Sequence, residues 1–82
     1  MKLTYDPRYN IAYLRLQEKT SQVETVRVSD SLNIDLAPDG TVYGIELLNA
    51  NEQLRGKEKG KLIVENVATG TSAEIELTKE NG

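Results

Sequence analysis

Alternation of apolar and polar residues is clearest between residues 32 and 48. Apolar side chains occupy every second position on both sides of a short interruption: Leu32, Ile34 and Leu36, then Tyr43, Ile45 and Leu47. A period of two predicts β-strands with one buried face. The interruption, residues 37–41, contains proline, aspartate and glycine, each of which favours a turn. The segment therefore predicts a β-hairpin, beside which the rest of the chain is predicted to lie as further strands.

Three more strands are predicted before this hairpin, over residues 2–5, 11–17 and 23–29. Pro7 ends the first, because proline has no backbone N–H to donate. The strand over residues 11–17 carries apolar atoms on both faces, which is typical of an interior strand.

The pattern changes after Leu48, where Asn49 is predicted to cap a short helix near residues 49–55 and Gly56 to end it. Leu47, Leu48, Ala50 and Leu54 would place an apolar stripe of that helix on the sheet. The charged residues 57–61 then form a connector.

The sequence predicts a mainly β fold with a minor helical part: an antiparallel β-meander or open roll of about five to seven strands with one short helix. We predict a single domain over residues 1–82. Residues 1–56 hold the meander and the helix, and residues 61–79 form a second hairpin whose last strand is an edge with one face in water.

Composition limits how such a fold is stabilised. The chain has 82 residues, no cysteine, no histidine, no tryptophan and no phenylalanine, so four tyrosines supply all the aromatic area. A domain of this size buries only somewhat over 60% of its unfolded surface and has a thin stability margin. We therefore expect self-association or a protein partner, and no cofactor or structural metal.

The net charge and the apolar content of the chain limit the kinds of partner that are expected. A formal charge of −3 and a pI near 4.9 oppose general affinity for a phosphate backbone, so nucleic acid is not an expected partner. No run of about 18 apolar residues occurs, so no membrane contact is expected. The cysteine-free sequence fits a reducing compartment, and we expect a cytoplasmic protein.

Without histidine or cysteine, catalysis would depend on carboxylates, tyrosine, lysine or serine. The candidate carboxylates are Asp6, Asp30, Asp35, Asp39 and Glu46. Asp6 and Asp39 lie in predicted turns, where an aspartate usually caps backbone donors. Asp35 and Glu46 alternate with core residues and are expected in solvent. The sequence contains no calcium-loop or phosphate-loop spacing. The basic residues Arg55, Lys57, Lys59 and Lys61 are interspersed with glutamates, as in a solvated linker.

Tyrosines are the residues most typical of a contact surface. A tyrosine combines a large area with a polar tip and is enriched at protein interfaces, although it is also simply a good strand residue. We predict that Tyr5, Tyr13 and Tyr43 mark one side of the sheet where a partner binds.

Three segments in order resemble a known family: Met-Lys-Leu-Thr-Tyr-Asp-Pro, then Ile-Ala-Tyr-Leu-Arg-Leu, then Leu-Asn-Ile-Asp-Leu-Ala-Pro-Asp-Gly-Thr-Val-Tyr-Gly-Ile-Glu-Leu-Leu. Over Met1 to about Ala50 the chain resembles the small prokaryotic domain-of-unknown-function family 2283. The resemblance implies no activity. Typical members carry an acidic residue near Asn10 and near Ala37, where this chain has an amide and a methyl group. The second hairpin would be an extension, and a frequent position beside toxin-like proteins would favour a binding role.

These observations favour a non-enzymatic interaction module, a homodimer or a partner-binding protein such as an antitoxin-like component. The alternative is a metal-dependent hydrolase or nuclease that uses Asp6, Asp35 and Glu46 as carboxylate ligands. No catalytic, metal or cofactor residue is assigned from the sequence.

Overall fold

The computed structural model describes residues 1–18, 22–55 and 60–77. Within these ranges the chain forms seven strands and one short helix: β1 Lys2–Asp6, β2 Ile11–Arg15, β3 Glu24–Ser29, β4 Leu32–Leu36, β5 Val42–Leu48, α1 Ala50–Arg55, β6 Lys61–Asn66 and β7 Thr71–Glu76. The predicted mainly β fold with one short helix is confirmed. No helix in the described part of the chain is long and apolar enough to cross a membrane.

The chain divides into two compact units, Met1–Asn51 and Glu52–Gly82. The division lies inside α1, five residues before the end of the predicted meander at residue 56. Gly56, the predicted helix stop, and most of the predicted connector lie outside the described residues. That the whole chain is one domain stays a prediction.

The first unit is one antiparallel sheet with the strand order β1-β2-β5-β4-β3. It combines a β1–β2 hairpin with a β3–β4–β5 meander, and β2 pairs with β5 rather than with its neighbour in sequence. The predicted hairpin of residues 32–48 is therefore the pair β4–β5, and β5 is the central strand. The prediction that residues 11–17 form an interior strand is confirmed, because β2 lies between β1 and β5.

Residue pairing gives this sheet two different faces. One row of directly opposed residues crosses all five strands and is apolar throughout: Leu3, Leu14, Ile45, Ile34 and Val26. We call the side that carries this row the apolar face. The two neighbouring rows on the other side are mostly polar: Thr4, Tyr13, Glu46, Asn33 and Arg27, and Lys2, Arg15, Gly44, Asp35 and Thr25. We call this side the polar face.

The turn between β4 and β5 forms as its residues predict. The Ala37 amide donates to the Thr41 carbonyl at 2.8 Å, and Gly40, at φ 87°, donates to the Ala37 carbonyl at 2.9 Å. The Asp39 carboxylate accepts from the Thr41 amide at 3.0 Å and from the Thr41 hydroxyl at 2.6 Å. The turn and the capping role predicted for Asp39 are confirmed.

Few side chains of the described residues are fully removed from solvent. Among the described residues the buried hydrophobic side chains are Ala12, Ala37 and Ala50, and no large side chain is fully buried. The strands of the first unit all belong to one sheet, so by itself this unit is a single layer. A sheet with one apolar face is ordinarily stabilised by packing that face against a second layer.

The second unit contains the predicted second hairpin, β6–β7, with Leu62 opposite Ile75 and Val64 opposite Ala73. Its turn is held by the Asn66 side chain, whose Oδ1 accepts from the Ala68 amide at 3.0 Å. Residues 78 and 79, the end of the predicted extension, lie outside the described residues.

Candidate functional site

The polar face holds a hydrogen-bonded network centred on Asp35. The Tyr13 hydroxyl donates to Asp35 Oδ2 at 2.7 Å, and the Thr25 hydroxyl donates to Asp35 Oδ1 at 2.6 Å. The three side chains come from β2, β4 and β3, so the network extends across the sheet over the central strand β5. Hydrogen bonds to a charged acceptor are each worth about 1.5–3 kcal/mol. Asp35 is therefore half-buried and engaged rather than fully in solvent as predicted.

Gly44 creates the space for this network. The residue lies in β5 between Arg15 and Asp35, and the Tyr13 ring lies directly over its Cα. A Cβ at this position would overlap the phenol, 2.6 Å from its Cζ and 2.8 Å from its Cε1. A glycine inside a strand often marks such a close approach. That signal was present in the sequence, and it would have indicated that a large side chain lies over the strand.

Burial and the neighbouring acids keep Tyr13 protonated. Desolvation is the largest cause that raises the pKa of the Tyr13 phenol, followed by its hydrogen bond to Asp35 and by the charges of Asp35, Tyr43 and Glu46. A phenol with a raised pKa donates a hydrogen bond but is a poor nucleophile near neutral pH. The arrangement thus acts as a neutral donor bonded to a carboxylate, which suits cross-strand stabilisation.

The three carboxylates of the hydrolase hypothesis lie on the polar face, each with its own partner. Asp6 accepts from the Arg8 amide at 2.9 Å and from its guanidinium at 3.2 Å, which holds the pKa of Asp6 below its usual range. Glu46 accepts from the Asn33 amide group at 3.0 Å. In the described part of the chain no group of three acidic side chains is arranged to hold a metal ion.

A second polar cluster, which we call the asparagine corner, joins the β1–β2 turn to the start of α1. It consists of Tyr5, Asn10, Asn49 and Asn51. Asn10 Oδ1 accepts from the Asn51 backbone amide at 2.7 Å, and its Nδ2 donates to Asn49 Oδ1 at 3.2 Å. The Tyr5 hydroxyl donates to Asn51 Oδ1 at 2.5 Å.

The asparagine corner adds a long-range acceptor at the predicted start of the helix. Asn10 and Asn49 both have left-handed backbones, at φ 60° and 59°, a conformation that asparagine tolerates better than most residues. The bond from Asn51 to the Asn10 side chain caps the helix start from 41 residues away. Asn49 directly precedes α1, and its predicted role as the cap stays a prediction.

The tyrosines predicted as one contact side do not share a face. Tyr5 lies opposite Ala12 and Tyr13 lies opposite Thr4, so the two rings stand on opposite sides of the sheet. Tyr43 lies at the register shift between β4 and β5 and is half-buried. A partner contact at any one of them stays a prediction, but Tyr5 and Tyr13 cannot belong to one flat surface.

Of the basic residues Arg55, Lys57, Lys59 and Lys61, the structure describes only some. Lys61 makes an ion pair with Glu74 at 3.2 Å across the β6–β7 hairpin. Lys57 and Lys59, and the side chain of Arg55, lie outside the described residues. An open groove at the start of β3 is lined by Gln22, Val23, Glu24, Leu36, Ala37, Pro38 and Gly40. Only two of these residues, Gln22 and Glu24, have polar side chains.

The apolar face is the largest feature that the sequence prediction did not single out. Four residues of the apolar row are only half-buried, namely Leu3, Leu14, Ile45 and Ile34, and Val26 at the β3 end of the row is 40% exposed. The row was not visible from alternation alone, because it requires the pairing of β2 with β5 and the register of four strand pairs.

Comparison with known proteins gives one match. The sequence model of a family described as "Protein of unknown function (DUF2283)" matches residues 2–51, which coincides with the first unit. No curated protein and no solved structure matches the chain. The matched residues are more than half of the chain and contain the whole five-stranded sheet, so this protein belongs to the DUF2283 family.

Proposed function

We propose that this protein is a non-enzymatic protein-protein interaction module whose contact surface is the apolar face of the five-stranded sheet. The observation that carries the proposal is the apolar row across all five strands in a unit that is a single layer. Burial of apolar area stabilises association by about 25 cal/mol for each Å² removed from water. A second protein surface laid on this face removes further apolar area from water.

The polar clusters support this proposal by what they do inside the chain. Both the Asp35 network and the asparagine corner direct their donors and acceptors to other residues of the same unit. They join neighbouring strands and the helix start, and so hold the residues of the apolar face in register. Preorganised surfaces bind more tightly, since less ordering entropy is lost on association.

The partner in this proposal is a second copy or a different protein. An antitoxin-like component, in which the partner is a toxin, is its narrower form. A cytoplasmic location is part of the same proposal, in keeping with a sequence free of cysteine.

Neighbouring residues of β1 provide a matched test. Leu3 lies on the apolar face and Thr4 on the polar face, so Leu3→Asp and Thr4→Asp add the same charge to opposite sides. We expect Leu3→Asp to weaken association at least tenfold in sedimentation equilibrium, with Thr4→Asp close to the unmodified protein. Circular dichroism is used to check that both variants are folded. Equal effects of the two variants, or a monomer that co-purifies with no protein, would refute the proposal.

A further inference from the structure

Strand β3 is an open edge of the sheet. It lies last in the strand order, and every residue from Glu24 to Ser29 is exposed. An edge strand presents a row of backbone N–H and C=O groups that are free to pair with another strand. Thr25, Val26 and Val28 are β-branched, as residues in paired strands commonly are.

The regular part of β3 can pair with a second copy of itself about Val26. Two copies related by a two-fold axis perpendicular to the sheet pair antiparallel, and the pairing centred on Val26 sets Thr25 opposite the second copy's Arg27. The irregularity of β3 lies beyond Arg27, so these pairs use only its regular part. Val26 is also the end of the apolar row, so the same pairing continues the row from Ile34 into the second copy.

We propose that the partner is a second copy of this chain, paired antiparallel through β3 with Val26 opposite Val26. The result is a continuous ten-stranded sheet with one long apolar face. This inference goes beyond the proposed function, because pairing through β3 leaves the apolar face uncovered and adds a second contact at the edge of the sheet.

Charge complementarity supports this register. The second copy's Arg27 lies beside Thr25 on the polar face, two strand spacings, about 10 Å, from Asp35. An extended arginine spans most of that distance, and a carboxylate that accepts two hydrogen bonds has room for more. Within its own chain Arg27 pairs with Asp30 at 2.6 Å, and both side chains are largely exposed. An exposed pair of that kind is worth little and leaves Arg27 free to turn to Asp35.

The competing arrangements are less favourable. Pairing centred on Arg27 sets Arg27 against Arg27 and Glu24 against Asp30, and like charges directly opposite each other destabilise a sheet. The other edge, β1, is followed at once by Pro7, and its Tyr5 hydroxyl is bound to Asn51 of the asparagine corner. Its apolar row residue, Leu3, is half-buried, whereas Val26 is exposed.

Cysteine cross-linking tests the register, because the natural sequence has no cysteine. Directly opposed Cβ atoms lie about 4.5–5.5 Å apart, close enough for a disulfide or a short bismaleimide link. We expect Val26→Cys to form a covalent dimer at least tenfold faster than Thr4→Cys, which carries its thiol at the middle of β1. Arg27→Gln should weaken the dimer about fivefold, as loss of an ion pair would. Arg8→Gln, which removes an exposed arginine paired with Asp6, should not.

The outcomes separate this inference from the proposed function. If the unmodified protein associates but Val26→Cys cross-links no faster than Thr4→Cys, the β3 pairing is wrong while the interaction module stands. If the unmodified protein is a monomer throughout the cross-linking range and binds no partner, both are wrong. Equal dimer affinities for Arg27→Gln and Arg8→Gln would contradict the charge complementarity of the register, even where the thiols at position 26 react.

Discussion

Substitution of Gly44 by alanine tests how the polar face is built. The backbone of Gly44 does not have a positive φ, so alanine meets no conformational strain there. Its methyl group would overlap the Tyr13 phenol, and the ring would have to leave its position over β5. Because the hydroxyl of that ring bonds Asp35 at 2.7 Å, the movement breaks the bond.

The magnitude follows from two opposing contributions. Loss of a hydrogen bond from Tyr13 to a charged acceptor costs about 1.5–3 kcal/mol. Replacement of glycine by alanine in a permissive backbone stabilises by about 0.4–1 kcal/mol, because the unfolded chain loses freedom. We therefore expect Gly44→Ala to lower the free energy of unfolding by about 1–2 kcal/mol, with a fall in Tm of about 4–8 °C for each kcal/mol.

Urea unfolding followed by circular dichroism measures the change, at one fixed protein concentration because association shifts apparent stability. The control is the same substitution in a Tyr13→Ala background, where no ring obstructs the methyl group. In that background Gly44→Ala should be neutral or stabilising. Equal effects in the two backgrounds, or a stabilising effect in the unmodified protein, would refute the close approach of Tyr13 to Gly44.

Three other predictions concern single groups. The raised pKa of Tyr13 predicts a phenol that ionises above the ordinary range of tyrosine in an ultraviolet titration, and Tyr13→Phe should remove this late step. Because an unfolded tyrosine ionises near pH 10, the stability contributed by Tyr13 is complete below that pH and is lost as pH rises above it. Asn10→Ala should lower the free energy of unfolding by about 1–3 kcal/mol in thermal unfolding, because alanine tolerates the left-handed backbone less well and cannot accept from the Asn51 amide. Asn10→Asp keeps that acceptor and should lower the free energy of unfolding less. The Thr41 hydroxyl and amide lower the pKa of Asp39 in the folded protein. The Asp39 carboxylate therefore stabilises the fold above the pKa that it has in the unfolded chain, and this stability is lost as pH falls through the folded pKa. Thr41→Val should raise the folded pKa of Asp39 toward its ordinary value in a carboxyl NMR titration.

The strands and the tight turn of residues 37–41 were predictable because they depend on neighbours in sequence. Alternation located β4 and β5, and proline, aspartate and glycine located the turn between them. The pairing of β2 with β5 was not predictable in this way. It joins residues from 29 positions apart, Arg15 and Gly44, to 37 positions apart, Ile11 and Leu48, and nothing in either strand's own pattern selects the other as its neighbour.

Long-range contacts likewise explain the differences at the candidate site. Asp35 was predicted in solvent because alternation places it opposite the apolar face, but the Tyr13 and Thr25 hydroxyls reach it from other strands. The start of α1 receives an acceptor from Asn10 in the β1–β2 turn, 41 residues away, which the local pattern around Asn49 does not indicate. In both cases the sequence contained the right residue types, and the sheet register decided which of them met.

Sedimentation velocity of the unmodified protein over a dilution series tests most directly whether this is an interaction module. One chain has a mass of 9.1 kDa, so a dimer has 2 × 9.1 = 18.2 kDa. From about 1 to 200 μM, a range that brackets a micromolar dissociation constant, we predict a shift from the monomer mass toward the dimer mass. A constant 9.1 kDa for the unmodified protein, in the absence of any bound partner, would contradict the account.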